Sequence, residues 1–151
     1  MSAFEIVRQT RIDADPGRVH DLVNDLHRWQ GWSPWEGIDP GMSREYDGPD
    51  AGVGASYCWS GNRKAGSGSM LITESSPEVI GIQISFLKPF KATNQVTFEI
   101  VPAAGGSEVA WRMSGEQSGL GAVVGMVFSM DKLVGKDFER GLARLKELAE
   151  S

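Results

Sequence analysis

Residues 4–12 (FEIVRQTRI) read as a strand. Asp13-Ala14-Asp15-Pro16 then supplies a helix cap followed by proline at the first helical position, which predicts a helix to about Asn24. Its apolar stripe is Val19, Leu22, Val23 and Leu26. A second short helix or turn is expected to hold Trp29, Trp32 and Trp35, whose three-residue spacing puts the rings on one side until Pro34 interrupts. From Gly52 to Glu116 the period changes to two. Ala55, Tyr57 and Trp59 share one parity, as do Met70 and Ile72, Ile80 to Phe86, Val96 to Ile100, and Val109 to Met113. The opposite parity carries Ser56, Ser60, Thr73, Gln83, Ser85, Thr97, Glu99 and Arg112. Strands with one apolar and one polar face predict an antiparallel sheet that is wet on one side. Turns are expected at Gly61-Asn62, Ser76-Pro77, Lys88-Pro89 and Ala104-Gly105-Gly106.

From about Gly119 to Ala149 the pattern returns to helical spacing, with Val127, Met130, Val134, Phe138, Leu142, Leu145 and Leu148 forming a stripe. The concave sheet face is the large apolar surface able to receive it, so the reading is an α+β fold with a long C-terminal helix across a twisted antiparallel sheet. Glycines at Gly121, Gly125, Gly135 and Gly141 each cost about 1 kcal/mol against alanine in a helix. Close approach or mobility must offset them, and a gated cavity is one such reason. Tyr57, Trp59, Met70, Phe86, Phe98, Trp111, Met113, Met126 and Met130 project between sheet and helix on this parity. They either interdigitate completely or line a hollow, and flexible Met with amphipathic Trp suits an adaptable apolar pocket.

The chain is 151 residues long with 40% hydrophobic and 23% charged residues, which fits one folded domain over 1–151. Fifteen Lys+Arg against twenty Asp+Glu leave a net charge of −5, so the basic footprint of a nucleic-acid binder is missing. The excess acid falls in the first third and reads as solvated surface. Cys58 is the one cysteine, which excludes an intrachain disulfide. Charges at Glu5, Arg8 and Arg11 interrupt what would be a signal segment, and no long apolar run occurs, so a cytoplasmic protein without a membrane span is expected.

The early DADPxxVxxLV helix, the stretch RWQGWSPWE, YCWSGN followed by GSGSMLITESSP, FLKPFKATNQVTFEI, EVAWRMSG and the terminal MDKLVGKDFERGLARLKELAE resemble bacterial polyketide cyclase-like proteins of the START-related superfamily. The resemblance spans the chain. It implies a helix-grip fold: a curved seven-stranded antiparallel sheet wrapped around a long C-terminal helix and an apolar cavity, with two small helices after the first strand. Relatives include lipid carriers, hormone receptors, pollen allergens and aromatase/cyclases, so the resemblance names no activity. It carries over a ligand pocket on Trp32, Trp35, Tyr57, Trp59, Met70, Phe86, Phe98, Trp111, Met113 and Met130, and no catalytic residue or cofactor.

The segment Gly119-Leu-Gly121-Ala-Val-Val-Gly125 superficially resembles a dinucleotide-binding turn, but the chain ends in the helix it opens, so no second strand completes the unit. It reads instead as a small-residue helix start, or, over Leu120 to Met130, as a surface for a second subunit. Serine-hydrolase, zinc and P-loop signatures are absent. His20 and His27, seven apart, nominate no metal site and read as surface histidines. Glu36, Glu116 and Asp131 flank apolar runs and are either acid–base candidates or rim charges. Arg44 and Lys64 are candidates for a pocket mouth, and Tyr57 is the stronger polar contact because its parity points inward. The expected function is binding of a small apolar or aromatic ligand, such as a lipid, polyketide or related metabolite. The alternatives are a cyclase or dehydratase acting on a polyketide-like substrate, and a protein-interaction module.

Overall fold

The computed structural model describes residues 2–35, 41–62, 66–88, 92–117 and 124–151, with the side chains of 2, 3, 88, 116, 117 and 124–133 outside the description. Strand β1 (Ser2–Ile12) leads into helix α1 (Pro16–Asn24) and a 3-10 helix (Leu26–Gly31). Six further strands follow: β2 (Ser43–Asp47), β3 (Ser56–Ser60), β4 (Ser67–Ser75), β5 (Val79–Lys88), β6 (Ala92–Ala103) and β7 (Gly106–Gln117). Helix α2 (Val124–Glu150) closes the chain. The seven strands form one antiparallel sheet in the order β1-β7-β6-β5-β4-β3-β2, so consecutive strands from β2 to β7 are neighbours and β7 returns to pair with β1. Among the described residues no helix is long and apolar enough to cross a membrane.

Helix α1 starts where Asp15 caps it, its carboxylate accepting from the Gly17 amide at 3.1 Å while Pro16 sets the first helical φ. Trp32 and Trp35 lie beyond the 3-10 helix rather than within it. Asp25 breaks α1 with extended backbone and recaps the next turn through the His27 amide, so the three-residue tryptophan spacing runs through 3-10 geometry into a bend.

The inner face buries the residues whose parity selects it, including Ile6, Ile12, Ile72, Ile80, Ile82, Phe98, Ile100 and Trp111. The outer face is wet. There Arg112 bridges three strands, at 3.0 Å from Glu99 of β6 and 3.1 Å from Glu5 of β1, and hydrogen bonds to Glu99 first and Glu5 second raise its pKa further.

Helix α2 lies against β1, α1 and the 3-10 helix. Its last turn is tied to the β1–α1 corner. Arg18 donates to the carbonyls of Leu148 and Ala149, Lys146 donates to the Arg11 carbonyl, and the Asp13 amide donates to Glu150. The Arg18 contacts satisfy carbonyls that a helix end leaves open.

Two helix glycines have a packing reason rather than a role in mobility. A Cβ on Gly141 would stand 2.8 Å from Pro34 Cδ and 2.8 Å from Trp111 Cζ3, and one on Gly135 would run into the Arg8 guanidinium. Both therefore let α2 approach closely. Gly121 lies outside the described residues, and at Gly125 the description covers the backbone alone.

Candidate functional site

The predicted pocket residues separate into two groups on the same inner face. The first is a solid aromatic plug. Trp29, Trp32, Trp35, Phe98, Trp111 and Phe138 meet with ring centroids 4.1–6.4 Å apart, most of them edge to face, and Trp111 stacks on Phe138 of α2 at 4.1 Å and 7°. Such pairs add about 0.5–1.5 kcal/mol each beyond area burial. Trp32 is 0% exposed and Trp111 1% exposed. The indole N–H of Trp29 donates to the Val23 carbonyl at 2.8 Å, and that of Trp32 to the Leu22 carbonyl at 3.0 Å, so both rings are locked to the end of α1. Trp35 is half-buried, and its N–H reaches Asp137 of α2 at 3.1 Å. The buried Trp111 Nε1 has no hydrogen-bond partner among the described residues.

The second group is a gallery across β2–β5. Tyr46 and Tyr57 are cross-strand partners with rings stacked at 5.0 Å, Tyr57 stacks on Trp59 at 6.0 Å, and Trp59 meets Phe86 edge-on at 6.0 Å. Trp59 lies flat over β4 because Gly68 leaves it room: a Cβ there would be 2.6 Å from Trp59 Cη2. Met70 sits on the rung between Tyr57 and Ile84. Tyr57 and Met70 are buried, whereas Trp59 and Phe86 keep part of their surface open. Met113 stands between Ile6 of β1 and Val96 of β6, beside Trp111 on the inner face of β7.

Of the remaining candidates, Arg44 lies on β2 with its Nε buried, two residues from Tyr46 and paired with Trp59. The side chains of Met126, Met130, Glu116 and Asp131 lie outside the described residues, as do Glu36 and Lys64 entirely. The suggested contact surface over Leu120 to Met130 falls there too. The histidines differ from each other. His27 is exposed, bonded to Asp25 and stacked on Tyr46, whereas His20 is half-buried with its Nε2 enclosed. Among the described residues no cluster of His, Cys, Asp and Glu suits a metal ion.

A cleft of about 440 Å³ between the start of α1 and the β4–β5 turn is lined by Pro16, His20, Asp21, Ser75, Pro77 and Glu78, among others. It contains none of the predicted pocket residues.

Sequence reasoning missed two contributors. Tyr46 sits on a five-residue strand with no alternation signal of its own. Asn94 shares the inward parity of Val96 and Phe98 and is buried; its polarity hid it from a search for apolar positions.

No curated protein matches the chain. Solved structures do, over almost its whole length. One is a Chromobacterium violaceum protein, 18% identical, with a TM-score of 0.69 and 97% of each chain covered. Another is the Aha1 dimer from Colwellia psychrerythraea, 15% identical, with a TM-score of 0.65, covering 97% of this chain and 96% of that one. The di-domain ARO/CYC BexL from the BE-7585A biosynthetic pathway is 15% identical with a TM-score of 0.75, and this chain covers 50% of it. At these identities the likeness shows the fold, a seven-stranded antiparallel sheet with a C-terminal helix and small helices after the first strand. Residues 3–150 match the family described as polyketide cyclase / dehydrase and lipid transport, and the chain belongs to that family.

Proposed function

We propose that the chain binds a small apolar or aromatic molecule, such as a lipid, polyketide or related metabolite, between the sheet and α2. The observation that carries this reading is the gallery of Tyr57, Trp59, Met70 and Phe86, inward-facing aromatic and thioether surface that Trp59 and Phe86 leave partly open. The plug of Trp32, Phe98 and Trp111 forms one wall, with Trp35 at its edge and Met113 next to Trp111 on the inner face of β7. The family description, which includes lipid transport, and the biosynthetic setting of BexL support the same reading. Binding is preferred to catalysis because, among the described residues, the seam carboxylates Asp137 and Glu139 are engaged, Asp137 by Trp35 and Arg140 and Glu139 by Arg8.

Titration with the dye 1-anilinonaphthalene-8-sulfonate tests this. Wild-type protein is expected to give saturable fluorescence enhancement. Trp59→Ala and Phe86→Ala should each weaken it about tenfold, the equivalent of about 1.4 kcal/mol of lost contact. Leu71→Ala, on the exposed outer face, should leave it unchanged. Absence of saturable binding, or inner-face variants that bind like wild type, would overturn the reading.

A further inference from the structure

Three buried polar residues stand out against the apolar core: Ser33, Ser107 and Asn94. Two are satisfied. Ser107 donates to the Ala14 carbonyl at 2.7 Å, and the Ser33 hydroxyl accepts from the Trp35 amide at 3.2 Å. Asn94 is the exception. It is 5% exposed, and its one side-chain hydrogen bond among the described residues runs from Nδ2 to the Met113 thioether at 3.9 Å, a weak acceptor. A carboxamide has two N–H donors and an oxygen with two lone pairs, and the Met113 contact uses one donor.

The sheet makes deliberate room for this group. Asn94 pairs with Ile84 on β5, and its carboxamide lies over Gly115 of β7, where a Cβ would crowd both its Cγ and Phe4 Cε1 at 3.1 Å. Asparagine is disfavoured in strands, and a carboxamide whose partner is a weak thioether acceptor is disfavoured in an apolar core. A leucine would fill the same space at lower cost to folding, so the amide needs a reason outside folding. Asn94 shares its face with the gallery: Ile84 links it to Met70, and Met70 to Tyr57.

We propose that Asn94 reads an oxygen on the bound molecule, which makes the ligand an oxygenated hydrocarbon, hydroxylated or carbonyl-bearing, rather than a bare hydrocarbon chain or ring. A hydroxyl matches the carboxamide best, since it accepts from Nδ2 and donates to Oδ1; a carbonyl uses the donor alone. This rests on the proposed apolar pocket and specifies its ligand.

The test is calorimetric or NMR titration of wild type and Asn94→Leu with 2-naphthol and naphthalene, which share one framework and differ by the hydroxyl. Asn94→Leu is expected to weaken 2-naphthol about tenfold while leaving naphthalene unchanged or tighter. Should the leucine not fold, Asn94→Ala carries the same comparison. Equal effects on both probes, or none on either, would overturn the role of Asn94 while the pocket stands. Failure of wild type to bind either probe would overturn the pocket and this inference together. A variant that loses thermal stability with its probe preference intact would make Asn94 a structural residue and would also overturn the proposal.

Discussion

Replacing Gly141 by alanine tests whether α2 is held tightly against the aromatic plug. Helix propensity alone favours alanine by about 1 kcal/mol. The new Cβ, however, would stand 2.8 Å from Pro34 Cδ and from Trp111 Cζ3, whereas carbon atoms rest at about 3.5–4.0 Å. Neither neighbour yields readily. Pro34 is a rigid ring, and Trp111 is clamped on Phe138 at 4.1 Å and packed edge-on by Trp29, Trp32 and Trp35. Overpacking of this kind costs about 1–3 kcal/mol, so the net effect runs from neutral to a loss of about 2 kcal/mol. Gly135→Ala is the control. Its Cβ meets the far end of the Arg8 side chain, which can swing away at the expense of a 2.9 Å ion pair to Glu139. That pair is partly solvated and contributes at most about 1 kcal/mol, which leaves Gly135→Ala near neutral or slightly stabilised. Urea unfolding monitored by circular dichroism should therefore show a lower midpoint for Gly141→Ala than for Gly135→Ala at unchanged slope. A Gly141→Ala protein more stable than wild type, or an inverted order, would refute the close-packed account.

The two buried indoles should respond unequally to phenylalanine. Trp32→Phe leaves the Leu22 carbonyl without its 3.0 Å donor, whereas Trp111→Phe removes an N–H that has no partner among the described residues, so Trp32→Phe should cost about 1–3 kcal/mol more in denaturant unfolding. Equal costs would contradict this. Glu150 accepts from Lys146 and from the Asp13 amide, which hold its pKa below the ordinary 4.5. A depressed carboxylate stabilises the fold above its unfolded pKa and loses that contribution as pH falls through the folded value. Thermal midpoints should therefore separate wild type from a less stable Glu150→Gln at neutral pH and converge in acid below 4.5; a constant separation would refute it. Arg18→Ala uncovers the last carbonyls of α2 and should speed amide exchange in its final turn, with no change in the centre of the sheet.

Elements that carry their own signal were legible in the sequence. Asp15-Pro16 announces α1, strict alternation gives the inner faces of β3 to β7, and the three- and four-residue stripe gives α2. Strand β2 was not, because a five-residue edge strand alternates between exposed and half-buried positions and offers one aromatic residue to read. Strand neighbours came from the family resemblance, since alternation fixes faces but not order. The inward set was found but not its division into plug and gallery. That division depends on α1 locking Trp29 and Trp32 through backbone carbonyls, a contact between elements. The reasons for Gly135 and Gly141 lie likewise in Arg8, Pro34 and Trp111, far away in the chain.

The central claim, a ligand seated on the gallery rather than in the plug, is tested most directly by the indole N–H resonances of the five tryptophans during titration with 2-naphthol. The account predicts that the Trp59 resonance moves most, while those of Trp29 and Trp32, bonded to the Val23 and Leu22 carbonyls, stay in place. Resonances that all remain still, or movement confined to Trp29 and Trp32, would contradict it.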